Sequence, residues 1–172
     1  MQHLIRAARQ AVQQGNWYAA LSLALTLPDI CGKLENPSHR SRQRYVTWCD
    51  AYLVPKYTHL IGSDREPHVF LHGDDCYALR CAVLHEGADD ILEQHARKAL
   101  TAFRFVTPPR GGGQIHCNQI NSILQLQVDV FCEDVCQGVD TWIELAQATN
   151  PEAMARVDRL MEIEVIGPSF SM

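Results

Sequence analysis

The chain has 172 residues, of which 47% are hydrophobic and 20% are charged. This is the composition of a globular domain, and it excludes intrinsic disorder, collagen-like repeats and a coiled-coil rod. The formal charge of −5 excludes nonspecific coating of nucleic acid, so any contact with nucleic acid has to come from a local group of cations.

The sequence favours a protein of the cytoplasm. No apolar run reaches the roughly 18 residues that a membrane-spanning helix requires, so no membrane contact is expected. The N-terminal residues include His3, Arg6 and Arg9, and no cleavable apolar segment follows them, so a secretory signal is not expected. No internal repeat or low-complexity tract divides the chain, which we therefore interpret as a single domain over residues 1–172.

Helical periodicity dominates the first half of the chain. One helix is predicted over residues 3–14 and a second over residues 16–27, where Pro28 is expected to end it. After a loop, a third helix is predicted over residues 41–54. Residues 55–73 are expected to be a loop again, with a brief strand or turn near its end.

The most distinct helical pattern spans residues 74–86. Asp74 or Asp75 is a suitable N-terminal cap, and Gly87 lies where a left-handed residue commonly ends a helix. A further short helix is predicted over residues 88–99.

The periodicity changes after residue 100. Apolar and polar residues alternate over residues 103–107 and 124–130, with a shorter run at 115–117 between them, which predicts a two- or three-stranded antiparallel sheet. Two more helices are predicted over residues 131–148 and 149–162. The predicted fold class is mainly α (α+β): a helical bundle with a small antiparallel hairpin or three-stranded sheet in the second half.

Seven cysteines in a chain without a secretory signal are expected to be thiols or metal ligands, not disulfides. Cys132 and Cys136 are one helical turn apart and Cys117 is near enough to approach them, so a small zinc-binding protein is one alternative. Because there is no second closely spaced pair, buried thiols are the favoured interpretation, and no metal is assigned.

The segment from Gly73 to Gly87 reads GDDCYALRCAVLHEG and contains the candidate catalytic residues. Arg80 and His85 are five positions apart near the end of the predicted helix. At about 100° per residue, an α-helix separates them by roughly 140° around its axis, so a single copy is not expected to present both on one face. We expect this helix edge to face a second copy, whose own Arg80 and His85 would border a shared cleft.

The Arg-x4-His pair formed by Arg80 and His85, on a helix of a small helical domain, resembles the motif of the HEPN superfamily. The surrounding DCYALRCAVLHEG also resembles a segment of uncharacterised bacterial proteins of similar length. Members of the superfamily are helical bundles and frequently dimers. Many are metal-independent endoribonucleases of toxin–antitoxin, abortive-infection and CRISPR-associated defence systems. The residue after the arginine is often polar in that superfamily, whereas here it is Cys81.

The resemblance implies an HEPN-like homodimer that cleaves RNA without a metal or other cofactor, in phage defence or a stress response, with an antitoxin or another protein of the same operon as a partner. It implies catalytic roles for Arg80 and His85. Those roles suit the chemistry, because a histidine exchanges protons near neutral pH and an arginine is a permanent cation that binds phosphate oxygens.

The predicted substrate-binding residues lie mainly in the segment SHRSRQRY, residues 38–45. Arg40, Arg42 and Arg44 belong to the only dense basic run in this acidic chain, and cations at a helix N-terminus oppose the helix dipole. Binding an RNA phosphate backbone would offset that cost, although pairing with the surplus of carboxylates would also do so. Tyr77, one turn before Cys81, is added to the substrate-binding set.

A non-catalytic interpretation of the same residues stays open. Arg80 and His85 also suit a helix C-terminus, where the histidine bonds backbone carbonyls and the arginine pairs with Asp74, Asp75 or Glu86. The protein would then be an HEPN-like binding or scaffold module without enzymatic activity.

Overall fold

The structure is a computed structural model that describes residues 1–91 and 97–164. Helices account for most of it. The α-helices are α1 (Gln2–Gln13), α2 (Trp17–Glu35), α3 (Ser41–Tyr52), α4 (Gly73–Cys81), α5 (Val128–Thr149) and α6 (Pro151–Val157), with a 3-10 turn at Val54–Tyr57 and a π-helical turn at Ala82–Glu86.

Two small sheets accompany the helices. The strands are β1 (Thr58–Ile61), β2 (Glu66–Val69), β3 (Ala102–Val106), β4 (Asn118–Ile120) and β5 (Ile123–Gln127). β1 and β2 form an antiparallel hairpin, and the other three form a sheet in the order β3-β5-β4. The predicted fold class, mainly α with a small sheet in the second half, is confirmed.

Capping residues set the first two helices as the sequence predicts. Gly15 adopts a left-handed φ of +66° after α1, a conformation that costs glycine little. The side chain of Asn16 accepts a hydrogen bond from the backbone N–H of Ala19 at 3.4 Å and caps α2. Asn150 caps α6 in the same way, accepting from the N–H of Ala153 at 3.0 Å.

The predicted end of the second helix at Pro28 is wrong, because α2 continues through it to Glu35. A proline inside a helix removes one backbone hydrogen bond and costs about 3 kcal/mol. Leu27, Cys31 and Leu34 are all buried around it. Burial of this apolar face outweighs the local penalty, and the extension places Asp29 on a helix instead of in a loop.

The three-stranded sheet is mixed, so the expectation of a purely antiparallel sheet is wrong. β3 and β5 are parallel, with Ala102 opposite Ile123, and β4 and β5 are antiparallel. The strand predicted at residues 115–117 begins instead at Asn118. Cys117 adopts a left-handed φ of +56°, which interrupts any strand at that position.

Two other segments differ from their predictions. The loop expected between α3 and α4 contains the β1–β2 hairpin. The helix predicted over residues 88–99 is absent from its described parts, and Asp90 forms a β-bridge with Ala102. Residues 92–96 of that prediction lie outside the described residues.

α2 lies at the centre of the helical layer and packs against α1, α3, α5 and α6. Two glycines permit close approach of the helices beside it. A Cβ on Gly32 of α2 would lie 2.8 Å from the Arg44 carbonyl oxygen of α3, and a Cβ on Gly73 of α4 would lie 2.9 Å from the Val46 carbonyl oxygen. α2, α3 and α4 are therefore held tightly together, which matters because all three contribute to the site below.

A buried carboxylate attaches the strand region to α4. Asp75, in the first turn of α4, is fully buried. Its oxygens accept hydrogen bonds from the backbone N–H groups of Lys98 at 2.7 Å, Ala99 at 3.1 and 3.2 Å, and Leu100 at 3.2 Å.

Within residues 1–91 and 97–164, no helix is long and apolar enough to cross a membrane.

We expect Asp75→Asn to lower the free energy of unfolding by about 2–4 kcal/mol, because an amide cannot accept all of these bonds and its NH₂ group would face backbone donors. Urea unfolding followed by circular dichroism measures the change. Asp74→Asn is the matched control, since Asp74 pairs with Arg42 near the surface, and it should cost below about 1 kcal/mol. Equal losses in the two variants would contradict the anchoring role of Asp75.

Candidate functional site

A π-helical turn brings Arg80 and His85 together. Arg80 lies at the end of α4, and His85 lies in the π turn that continues it. The Arg80 Nη1 and His85 Nε2 atoms are 3.0 Å apart. The expected separation of roughly 140° assumed α-helical geometry and is wrong here. A π turn has i→i+5 hydrogen bonds and more residues per turn than an α-helix, so residues five apart lie closer together around its axis.

The turn ends at Gly87, as the sequence predicts. Gly87 has a left-handed φ of +68°, and its N–H donates to the Val83 carbonyl at 3.2 Å. The N–H of Ala88 donates to the Ala82 carbonyl at 3.2 Å, which closes the wide turn. These bonds fix the backbone that carries His85.

The contact between Arg80 and His85 defines the protonation of the imidazole. A guanidinium has donors only, so Nε2 of His85 must accept and cannot carry a proton while this bond is made. A neutral imidazole that accepts at Nε2 carries its proton on Nδ1. His85 is exposed, so the pair presents a basic nitrogen beside a fixed cation at the protein surface.

Asp29 of α2 holds the other side of the guanidinium. Nη2 of Arg80 donates to Oδ2 of Asp29 at 2.7 Å, and the Arg80 side chain is only 19% exposed. Burial by itself would lower the pKa of Arg80, but Asp29 and the Cys81 side chain act in the opposite direction, and the net pKa is raised. Arg80 is therefore a permanent cation with a defined orientation.

Two residues of α3 share the second oxygen of Asp29. The Ser41 hydroxyl donates to Oδ1 at 3.2 Å, and Nη2 of Arg44 lies 3.6 Å from the same atom. Nη1 of Arg44 donates to the His39 carbonyl at 3.0 Å. One carboxylate thus connects α2, α3 and α4.

Tyr77 and Cys81 complete the wall on the α4 side. The Tyr77 ring packs edge-on against Tyr45, with centroids 5.6 Å apart. Its hydroxyl contacts the Cys81 thiol and the Ser41 hydroxyl. Burial and Cys81 raise the pKa of Tyr77, and Arg80 and Ser41 only partly oppose them. Cys81 also contacts the Arg80 guanidinium, so the thiol occupies a polar position beside the arginine.

The predicted basic run does not form one surface. Arg40 and Arg42 line a groove of about 340 Å³ together with Asp74, and Nη2 of Arg42 is 2.8 Å from that carboxylate. Arg44 turns the other way, towards Asp29. Of the predicted substrate-binding residues, Arg44 and Tyr77 therefore lie in the Arg80 network, and Arg40 and Arg42 lie in a separate groove.

Asp29 and Ser41 are the residues that the sequence prediction missed. Asp29 is 51 positions from Arg80 and follows Pro28, which indicated a loop. A hydrophobic periodicity running past Pro28, through Leu27, Cys31 and Leu34, was the available signal that this segment is helical.

The three cysteines of the zinc alternative do not form a metal site. Cys132 and Cys136 are buried on the core face of α5, where burial raises the pKa of each thiol to about 12. Burial also raises the pKa of Cys117 to about 11. Zinc requires thiolates, and among the described residues no group of three or more His, Cys, Asp or Glu side chains converges on one point.

A second titratable group lies away from this site, between β5 and α5. His116 Nδ1 accepts the backbone N–H of Gln127 at 3.1 Å, and its Nε2 lies 3.9 Å from Oδ2 of Asp134. Tyr57 donates to the same oxygen at 3.0 Å. Burial lowers the pKa of His116, and Asp134 only partly opposes this effect.

Removing Asp29 tests the network around Arg80. We expect Asp29→Ala to lower the free energy of unfolding by about 1–3 kcal/mol, because Arg80 and Arg44 would keep partly buried charges without a counter-ion. Chemical denaturation measures the loss. Glu152→Ala is the control: Glu152 is 87% exposed and pairs with Arg156 at 3.7 Å, so its removal should cost below about 0.5 kcal/mol. A similar cost for the two variants would argue against Asp29 as the organising carboxylate.

Acid should destabilise the protein through His116. Its pKa in the folded state lies below the usual 6.5, so the unfolded chain binds the proton more readily and stability falls as the pH drops below about 6.5. Protonation would also place an N–H against the Gln127 N–H. His116→Asn removes the titrating group, so urea unfolding at pH 7.5 and 5.0 should show a smaller loss for this variant. His72, whose pKa burial also lowers, remains in both proteins. An unchanged loss in the variant would assign the acid sensitivity elsewhere.

No protein family, curated protein or solved structure matches this chain. The geometry of Arg80, His85 and Asp29 is therefore the basis for a function of this protein.

Proposed function

We propose that this protein is a metal-independent endoribonuclease of the HEPN type, acting in the cytoplasm as a homodimer. The observation that supports the proposal is the 3.0 Å contact between Arg80 Nη1 and Nε2 of the exposed His85. A neutral imidazole can serve as the base and a fixed guanidinium as the phosphate-binding cation of metal-free phosphodiester cleavage.

The resting contact suggests how RNA engages the pair. A phosphate oxygen is a stronger acceptor for a guanidinium than a neutral imidazole is, because charge-assisted hydrogen bonds are stronger. The scissile phosphate would accept the hydrogen bond from Nη1 of Arg80. Nε2 of His85 would thereby lose its contact with Arg80. The released nitrogen then accepts the proton of the adjacent 2′-hydroxyl.

Cleavage follows by attack of the 2′-oxygen on phosphorus. The 2′-O–P bond forms as the P–O5′ bond breaks, and Arg80 stabilises the charge that develops on the phosphate oxygens. The 5′-oxygen needs a proton as it leaves. One copy supplies a single imidazole at this pair, so the acid in the proposed dimer is the His85 of the partner subunit, released from its own Arg80 and protonated. The products are a 2′,3′-cyclic phosphate and a 5′-hydroxyl.

The proposal places the protein in phage defence or the stress response, with a protein of the same operon as its inhibitor. A protein that covered His85 would block access of RNA to the exposed imidazole while leaving the Asp29–Arg80 ion pair in place. An inhibitor of the antitoxin kind therefore suits the geometry.

One observation favours the second candidate function, a non-catalytic binding or scaffold module. Arg80 is already paired with Asp29 at 2.7 Å, and its side chain is largely buried. A guanidinium held in this way can serve structure alone. The two functions differ in what the loss of His85 does, because His85 is exposed and contributes little to packing.

The test is cleavage of a fluorescent single-stranded RNA in the presence of EDTA. We expect activity with EDTA, and we expect His85→Ala to reduce it by about 10²–10⁴-fold because proton transfer is lost. Arg80→Ala should reduce it by about 10²–10³-fold because charge stabilisation is lost. End labelling should identify the 2′,3′-cyclic phosphate and the 5′-hydroxyl.

His59→Ala is the matched control, since His59 is exposed on β1 and distant in sequence from the pair. It should leave the rate unchanged. Equal rates for the wild-type protein, His85→Ala and Arg80→Ala would refute the ribonuclease and leave the scaffold module as the function.

A further inference from the structure

A groove of about 400 Å³ adjoins the Arg80 network on the face of α2. This volume is within the range of about 300–1,000 Å³ that is usual for small-molecule sites. Its lining combines apolar and charged side chains, namely Ile30, Leu34, Leu160, Asp29, Lys33 and Arg44.

Three helices and the chain after α6 form the groove. Along α2, Lys33 follows Asp29 by four positions and Leu34 follows Ile30 by four positions, so these side chains lie on adjacent turns of one helix face. Nε of Arg156 donates to the Leu34 carbonyl at 2.6 Å and holds α6 against the end of α2. The chain after α6 then carries Leu160 over this face, and α3 contributes Arg44.

The groove and the candidate catalytic pair share residues. Asp29 lines the groove through the carboxylate that binds Nη2 of Arg80, while Nη1 of Arg80 contacts His85. Asp29 and Arg80 therefore link the groove to the exposed imidazole. A ligand in the groove would lie beside the phosphate that the pair is proposed to cleave.

The charges around the groove favour an anion. Lys33 and Arg44 line the groove and supply two cations, and the one lining carboxylate, Asp29, is already paired with Arg80 outside the lining. Lys33 gives one donor to the Pro37 carbonyl at 2.7 Å and keeps two others. Arg44 is held less closely than Arg80, since its Nη2 is 3.6 Å from Asp29. Donors on both side chains are available to phosphate oxygens.

The apolar side chains favour a flat hydrophobic group on the same ligand. Ile30 and Leu160 are partly exposed and offer apolar surface to a ring, while Lys33 and Arg44 offer charge to a phosphate. A nucleoside monophosphate combines these two features. Single-stranded RNA presents the same unit, with its base unstacked and accessible.

We propose that this groove binds the base and phosphate of the nucleotide next to the scissile bond. The proposal rests on the proposed ribonuclease function for the RNA source of that nucleotide. It adds a binding site that the Arg80/His85 motif does not include, and it makes Leu160 and Lys33 determinants of RNA affinity.

The experiment measures binding of adenosine 3′-monophosphate to the full chain by isothermal titration calorimetry, with inorganic phosphate and adenosine as separate probes. The monophosphate should bind at least about tenfold more tightly than either fragment. Leu160→Trp should fill the groove and weaken binding at least about tenfold. Lys33→Glu should weaken it by a similar factor and reduce its dependence on salt.

Each variant has a matched control. Met161→Trp places the same side chain at the adjacent residue, whose side chain is 77% exposed, and should not change binding. Lys98→Glu makes the same change of net charge at another exposed lysine and should also leave binding unchanged. Equal effects of Leu160→Trp and Met161→Trp, or of Lys33→Glu and Lys98→Glu, would overturn the groove as the nucleotide site.

A second experiment tests whether RNA is the source of the nucleotide. It also distinguishes failure of the groove proposal from failure of the ribonuclease proposal. A single-stranded adenosine hexanucleotide of non-cleavable 2′-O-methyl RNA should displace the monophosphate at lower concentration than the monophosphate itself. Failure to displace it would overturn RNA as the source. Nucleotide binding without RNA cleavage would retain the groove and reject the ribonuclease. Cleavage with an unchanged KM in Leu160→Trp would retain the ribonuclease and reject the groove.

Discussion

The carboxylate of Asp29 is the interaction on which the candidate site depends. Its two oxygens bind Arg80 at 2.7 Å, Ser41 at 3.2 Å and, more loosely, Arg44 at 3.6 Å. Two partly buried guanidinium groups without this counter-ion would have to remain in water, and α3 and α4 could not lie so close to α2. Asp29 fixes Arg80 from one side, so the remaining N–H donors of Arg80 point in a defined direction. The π turn places His85 where one of these donors can reach it.

The π turn explains how Arg80 and His85, only five residues apart in one helical segment, come into contact. An α-helix continued through residue 86 would place His85 on another face, away from Arg80. Five residues of π geometry rotate the imidazole back over the guanidinium, and the left-handed Gly87 ends the turn directly afterwards. π turns are rare and occur frequently at functional sites. The geometry of the pair therefore supports a functional interpretation more strongly than the sequence spacing alone does.

The sequence predicts most of the helices because their boundaries are set by local residues. Gly15, Asn16, Gly87 and Asn150 act within one turn of themselves, and their effects can be read directly from the chain. Pro28 misleads because burial of the surrounding apolar face, a tertiary effect, outweighs its local penalty. The parallel pairing of β3 with β5 and the approach of Asp29 to Arg80 depend on contacts between distant residues. No local pattern encodes these contacts, so the arginine and histidine are predictable while their organising carboxylate is not.

The charge distribution reconciles an acidic chain with an anionic ligand. The net charge of −5 would repel RNA at long range. At physiological ionic strength that repulsion is screened beyond about 8 Å, so an approaching phosphate responds mainly to the nearest side chains. Around Asp29 these are Lys33, Arg44 and Arg80. In the proposed function, this local group of cations attracts a phosphate only at close range. Such a surface favours short single-stranded segments that fit the site over long duplexes that bind by charge alone.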